Sequence, residues 1–406
     1  MGTVVGDQPD LRGMTWGHDR GLAPLEATAA EWHRRTGVRV GWEVRSLREF
    51  GEVPLDDLVD RYDLLVIDHP FIGRGAAGGL LQPLDDLVGP GFLAEQAAGS
   101  IGGSHESYRW HDRQYALATD AAAQVLAARP DLLGACQVPR CWDDVFGLDE
   151  ALDRAMLGVP LNPTDVVPTF LSLCSAVGRR PFTGVGVVPA AAGLEALALL
   201  RRLAAAAVPD TLDLNPIQLL ERMAADDEVA VAPVLFGYTN YARPGYRAHR
   251  LSFHDLPARS RTGKPRGSTL GGAGLAVSSR TTRTADAVAY ATYVAAPETQ
   301  AGLYVRAGGQ PAHAAAWDDP AADEVTGGFF TGTRPTMDHV LVRPRHPGYL
   351  TWQDAVGPLL ADFARGAGGA SHVLAELERT YAGCRTDDPA GRPGPGRIPA
   401  RNQERR

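Results

Sequence analysis

Within its first seventy residues the chain alternates between extended and helical signals, and that order leaves few folds open. Leu11 to Trp16 is a short apolar run that Gly17 ends. Pro24 opens a helix in which Leu25, Ala29 and Trp32 recur at i, i+4 and i+7, and Gly37 stands where a left-handed residue stops such a helix. Val38, Val40, Trp42 and Val44 then alternate with polar or small residues, the period of a strand with one buried face. A second helix is expected from Leu55 to Arg61, and Asp63–Ile67 reads as the apolar strand that a sheet covered on both faces requires. Strand, helix, strand, helix, strand predicts a doubly wound α/β sheet with right-handed crossovers. Such sheets bind ligands beyond the carboxyl ends of their strands. Three polar clusters fall there and converge on one edge: Trp16-Gly17-His18-Asp19, Arg45-Ser46 and Asp68-His69-Pro70.

Further along, Tyr115 to Asp120 reads as extended and passes into an alanine-rich helix ending near Arg129-Pro130. Helical patterns cover Trp142–Leu157, Thr164–Val177, Ala191–Ala207 and Asp210–Ala225, and Glu228–Ala232 returns to a short strand. Gly271 to Ser278 is a strand with glycines at its start, followed by a helix over Ala285–Ala296 that Thr284 caps and Pro297 ends. Trp352–Arg365 and Ser371–Tyr381 are two amphipathic helices. Beyond Cys384 the chain is Pro, Gly and Arg without apolar content, so residues 385–406 are expected to be disordered.

A length of 406 residues corresponds to two or three domains at ~100–200 residues each. Forty basic against 48 acidic residues give a net charge of −8, which argues against a general affinity for nucleic acid or anionic lipid. The apolar run Ala190–Val208 is broken by Glu195, Arg201 and Arg202, so no membrane span is expected. The first twenty residues lack the apolar stretch of a secretory signal, and there is no lipobox cysteine. The sequence as written is therefore expected in the cytoplasm, or outside it if the start is trimmed. Cys136 and Cys141 lie close enough in sequence to pair or to stay as free thiols, while Cys174 and Cys384 are isolated. No CxxC or HxxxH spacing supports a metal, and no cofactor is expected.

Several side chains suit recognition of a hydroxyl-rich molecule, and each has a structural alternative. Asp68 can accept two hydroxyls or cap the loop that follows it. Tyr238 offers a ring face and a hydroxyl, with Asn240 close by. Asn162 and Thr164 open a helix, where capping accounts for Thr164. Gly271, Gly272 and Gly274 precede a strand and not a helix, so they do not form a dinucleotide loop and are read as permitting close backbone approach. Arg334, Arg343 and Arg345 with Tyr349 are read first as ion-pair formers and second as a contact for an acidic ligand group.

Taken in order, DLLVIDHPFIG, RQYALATDAAAQVLAARPDLL, WDDVFGLDEA, VAVAPVLFGYTNYARPG, LGGAGLAVSSRTTRTADAVAYATYVAAPETQAGLY and RAGGQPAH resemble the extracellular solute-binding proteins of carbohydrate ABC transporters, the maltose-binding-protein type. The resemblance spans Leu11 to Tyr381 and lies in order and spacing more than in any one motif. It implies a two-lobed periplasmic-binding-protein type II fold, each lobe a doubly wound mixed sheet flanked by helices. One lobe would hold residues 1–118 plus 265–312, the other 119–264 plus 313–384, with a hinge and a ligand cleft between them. The implied ligand is a mono- or oligosaccharide, the implied partner a permease, and the chain a monomer. The resemblance also places ligand contacts on the first loop, at Trp16, His18 and Asp19, and on a polar residue at Asp120, for which core packing (Trp16) and helix capping (Asp120) are the alternatives. A second reading makes the chain an intracellular enzyme in which His18 and His69, beside Asp19 and Asp68, move protons in an elimination, isomerisation or cyclisation. Two such His/Asp loops also suit a metal in principle, but their spacing does not enforce one.

Overall fold

The computed structural model describes residues 8–46, 49, 54–148, 152, 156–264 and 267–385. The opening strand β1 (Leu11–Trp16) lies where the apolar run places it. Helix α1 (Asp19–Thr36) starts five residues earlier than expected, because His18 Nδ1 accepts the Arg20 amide at 3.0 Å and caps it, leaving Pro24 inside the helix. Gly37 ends α1 in the left-handed region, φ 81°, with its N–H on the His33 carbonyl. Strand β2 (Val40–Arg45) runs parallel to β1 along its whole length, Leu11 opposite Val40 and Trp16 opposite Arg45. The helix expected over Leu55–Arg61 is a single 3₁₀ turn, Leu55–Asp57. Its apolar residues Leu55, Leu58, Val59 and Tyr62 are buried and Asp56, Asp57, Asp60 and Arg61 are exposed, so the two faces read from the sequence are kept by turns shorter than a helix. Strand β3 (Leu64–Ile67) is buried throughout and parallel to β1.

The largest departure from expectation is β4 (Ala116–Ala128), one 13-residue strand, entirely buried, where an alanine-rich helix was expected. Helix preference for alanine is worth only a few tenths of a kcal/mol per residue over its neighbours, and ladders along both edges override it. After it come helices α2 (Val166–Ala176), α3 (Ala190–Ala206) and α4 (Pro216–Ala225). Two further strands follow, β5 (Val231–Phe236) and β6 (Ser252–His254), and then β7 (Leu270–Val277). Helices α5 (Thr284–Ala295), α6 (Gly348–Ala364) and α7 (Ala370–Cys384) complete the set that positions the site.

The first half of β4 is antiparallel to β7, and Gln124–Ala128 is antiparallel to β5, with β6 on Leu126–Ala128. Among the described residues this makes a seven-stranded sheet ordered β2-β1-β3-β7-β4-β5, β6 pairing with β4 beside that path. The ladder to β7 shifts register between Ala118 and Asp120.

Smaller differences have local causes. Asp210–Ala225 breaks into a 3₁₀ turn over Pro209–Asp213 and α4, because Asn215 and Gln218 form a reciprocal cap at Pro216. The strand expected at Glu228–Ala232 sits at Val231–Phe236, and Thr284 is the first residue of α5 and not its cap. The Trp142 helix ends at Phe146; residues 149–151 and 153–155 of the span expected there, and the tail 386–406, lie outside the described residues. All four cysteines are free. Among the described residues no helix is long and apolar enough to cross a membrane.

Three apolar clusters hold these layers. Leu11, Val66, Leu275 and Tyr290 pack β1, β3 and β7 against α5, while Phe170, Leu197, Trp352 and Leu377 pack α2, α3, α6 and α7 together. A third cluster runs along β4 from Ala116 to Ala127, with Met14 and Leu65 near one end and Leu235 and Phe253 near the other. The strand thus packs against early and late parts of the chain in one cluster. Gly272, in β7, has φ +111°, and a Cβ there would fall 2.3 Å from the Asp120 carbonyl oxygen, so close approach is what that glycine permits. Gly272→Ala is expected to lower stability by about 1–3 kcal/mol in chemical denaturation. Gly91→Ala, inside a helix with nothing within 4 Å, should be neutral or slightly stabilising.

Candidate functional site

The carboxyl ends of β1 and β3, the register shift in β4, the loop after β5 and the start of β7 all face one cleft of about 570 Å³. Its opposite wall comes from the start of α2, the turn before α4, and Arg343, Leu350 and Gln353. That volume suits a small molecule. Of the ten residues singled out from the sequence, Trp16, Asp68, Asp120, Asn162, Tyr238 and Gly272 line it.

The floor is an ion pair. Arg20, in the first turn of α1, is buried and grips Asp120 of β4 with two bonds, Nε to Oδ2 at 2.8 Å and Nη2 to Oδ1. Its Nη1 donates to the Gly237 carbonyl at 2.9 Å, and its guanidinium lies 4.4 Å from the Tyr238 ring centre. Burial pushes the Asp120 carboxyl up and Arg20 opposes it; for Arg20, burial pulls down and Asp120 outweighs it, so the guanidinium is held above its ordinary value. A cation so near a helix N-terminus runs against the dipole. That misplacement is the one sequence signal that could have singled out Arg20, and a helix start at Pro24 hides it.

A second ion pair of the same kind closes the side. Asp68 Oδ2 meets Arg343 Nη2 at 2.5 Å, while Asp68 Oδ1 accepts the His69 amide at 2.8 Å and lies 3.1 Å from His69 Nδ1. Burial would raise the Asp68 carboxyl, but Arg343 and then His69 outweigh it and hold it well below the usual range. Asp68 therefore both caps its turn and lines the cleft. Arg343 fulfils the first of its two readings, an ion pair. Arg334 pairs at the surface with Asp318 and Asp338, and Arg345 donates to the carbonyls of Glu106 and Arg109.

Four expected contacts lie elsewhere. His18 caps α1 and stands edge-on to Tyr238 at 4.9 Å; Asp19 accepts the Tyr246 hydroxyl at 2.7 Å. His69 is fully buried, its Nε2 accepting the Arg343 amide at 3.3 Å, and Asn240 is buried with Nδ2 on the Gly308 carbonyl. Burial, with Arg20 beside one and Arg343 beside the other, brings both imidazoles down to about 4. No histidine lines the cleft among the described residues, so the acid–base reading finds no support. No group of three metal-binding side chains occurs among them.

The far wall holds what the sequence did not disclose. Asn162, not Thr164, organises the start of α2: its Oδ1 accepts the amides of Thr164 and Asp165, and its Nδ2 donates to the Leu214 carbonyl and, at 2.6 Å, to Asp165 Oδ2. Asp165 is pushed up to about 7 by burial. Arg343 Nε and Gln353 Oε1 are buried polar atoms without a protein partner among the described residues. Asp165 and Gln353 sit in stretches with ordinary helical patterns, where nothing distinguishes a cleft-facing polar residue from a solvated one.

No family model matches the sequence, and no curated protein matches it. Solved structures do match. The GacH receptor of Streptomyces glaucescens, solved unliganded and with acarbose, is 16% identical with a TM-score of 0.77, over 93% of this chain and 98% of that one. An ABC transporter solute-binding protein from Thermotoga lettingae bound with α-D-tagatose is 16% identical, TM-score 0.78, over 93% and 100%. A third, from Agrobacterium radiobacter in complex with ribitol, is 18% identical, TM-score 0.76, over 93% and 99%. The chain has the mixed α/β fold of these solute-binding proteins.

Two measurements probe the charged floor. Asp120→Ala strands a buried guanidinium and is expected to cost about 3–5 kcal/mol, whereas the double change Arg20→Met, Asp120→Leu should recover most of it. For His69, folding keeps the ring neutral down to about pH 4, while an ordinary histidine protonates at 6.5. The unfolded chain binds more protons between those values, so stability falls as pH is lowered through that window, by roughly 3 kcal/mol at most. Equilibrium unfolding from pH 7 to 4 should show a slope to which His18 and His105, both also brought down to about 4, contribute in the same sense, and His69→Asn should reduce it by the share of one histidine.

Proposed function

We propose that this protein binds a small polyhydroxylated, carbohydrate-like ligand in the cleft between two hinged lobes, as the solute-binding component of an ABC transporter or as a cytoplasmic relative of one. The lobes are assigned to residues 1–118 plus 265–312 and 119–264 plus 313–384. The observation that carries the reading is the cleft itself: aromatic faces from Trp16, Phe71, Phe236 and Tyr238 stand among carboxylates, amides and two guanidinium groups, where the strand ends meet. A sugar presents that combination in reverse, with C–H faces for the rings and hydroxyls for the polar groups. The likeness to proteins crystallised with acarbose, tagatose and ribitol supports the same class of ligand. Asp68 and Asp120 offer acceptors fixed in place by arginines, so a hydroxyl meets oxygens that need no reordering. Closure of the lobes would expel water and strengthen each of these bonds. A permease is the partner this reading implies.

Calorimetry against neutral sugars and polyols, from hexoses to trisaccharides, is expected to find at least one ligand. Tyr238→Ala should weaken it about tenfold or more without loss of fold by circular dichroism. Silence across neutral, amino and acidic sugars and polyols overturns the proposal.

A further inference from the structure

The charges that line the cleft do not balance. Arg20 is engaged with Asp120 and Arg343 with Asp68, each a buried pair. Asp213, at the rim, has Arg365 at 2.5 Å. Asp165 has no cation at ion-pair distance among the described residues: its Oδ2 accepts from the Asn162 amide at 2.6 Å, and its Oδ1 has no protein donor there. Arg343 acts on it through space, but that guanidinium is already held by Asp68.

We propose that the ligand carries a basic nitrogen, as an amino sugar or amino polyol, and that its ammonium group docks on Asp165. The inference rests on the carbohydrate reading above and names the ligand class within it. A partly buried carboxylate without a counter-charge is unfavourable, and an incoming ammonium supplies the missing partner together with N–H donors for Oδ1. Asp165 precedes the first turn of α2, an 11-residue helix, and its side chain makes no capping bond there, so the carboxylate is free to face the cleft. The helix N-terminus favours its ionised form. Burial outweighs the Asn162 bond and the Arg343 charge and pushes the group up to about 7, which describes the site before that partner arrives. An acidic sugar meets the opposite situation, since both guanidinium groups in the cleft are committed to protein carboxylates and an added anion would face Asp165. The ring and hydroxyls of the same ligand remain for Tyr238, Gln353 and Arg343 Nε.

The test is calorimetry on the full chain at about pH 6.5, where a sugar amine is protonated. The probes are matched triples: glucose, glucosamine and glucuronate, the same three in the galactose series, and cellobiose against its diamino counterpart. The expected order is amine over neutral over acid, with the amine favoured at least about tenfold. Asp165→Asn, which keeps shape and the Asn162 contact, should reduce that advantage to about twofold or less and leave the neutral sugar's affinity within about threefold. Neutral sugars binding as well as their amines, or glucuronate binding best, would overturn the proposal while leaving the carbohydrate reading intact. Failure of every probe to bind would remove both. The order in the unaltered protein decides the matter even if the variant does not fold.

Discussion

Arg20 is the residue on which the cleft is built. It leaves the first turn of α1, crosses to Asp120 on β4 and reaches the Gly237 carbonyl beyond β5, so one side chain ties three separate stretches at the bottom of the cleft. A guanidinium withdrawn from water is tolerable only when nearly every N–H finds an acceptor and the charge finds its opposite. The arrangement is consequently fixed in orientation: Arg20 holds Asp120, Asp120 holds β4 at its register shift, and the Tyr238 ring stacks over the cation. Gln310 adds a second tie at the same level, its side chain accepting the Thr239 amide and donating to the Ala121 carbonyl.

The two buried pairs have opposite polarity across the cleft. On one side the arginine comes from the first layer of strands and helices and the carboxylate from β4; on the other, the carboxylate follows β3 and the arginine belongs to a late segment. Asp120 and Asp68 are therefore oriented before any ligand arrives. His18 and His69 serve this scaffold and not the chemistry of the cleft, one capping the helix that presents Arg20 and the other bracing Asp68.

Much of the fold was legible because it follows from local rules. The three opening strands and α1, the glycine stop at Gly37 and the strand ends carrying Trp16 and Asp68 needed only periodicity, a left-handed residue and the geometry of doubly wound sheets, while the second helix proved a single 3₁₀ turn. The failures came where tertiary context overruled local preference. Ala121 to Ala128 has the composition of a helix and the fate of a strand, because two partner strands claim its edges. Asp120, Asn162, Tyr238 and Gly272 were legible as cleft residues, since each follows or interrupts a strand or opens a helix. Arg20 and Asp165 were not: what distinguishes Arg20 is a partner a hundred residues away, and what distinguishes Asp165 is that no cation lies at ion-pair distance from it among the described residues.

The interrupted ladder beside Thr119 has a mechanical meaning. Between Ala118 and Asp120 the ladder from β4 to β7 skips a rung, beside the cleft that Asp120 lines. The ladder from β4 to β5 is interrupted as well, between Val125 and Ala127, so the strand is broken once on each edge. Asp120 stands at one of these two breaks, where the strand beneath the cleft has fewest bonds to resist bending.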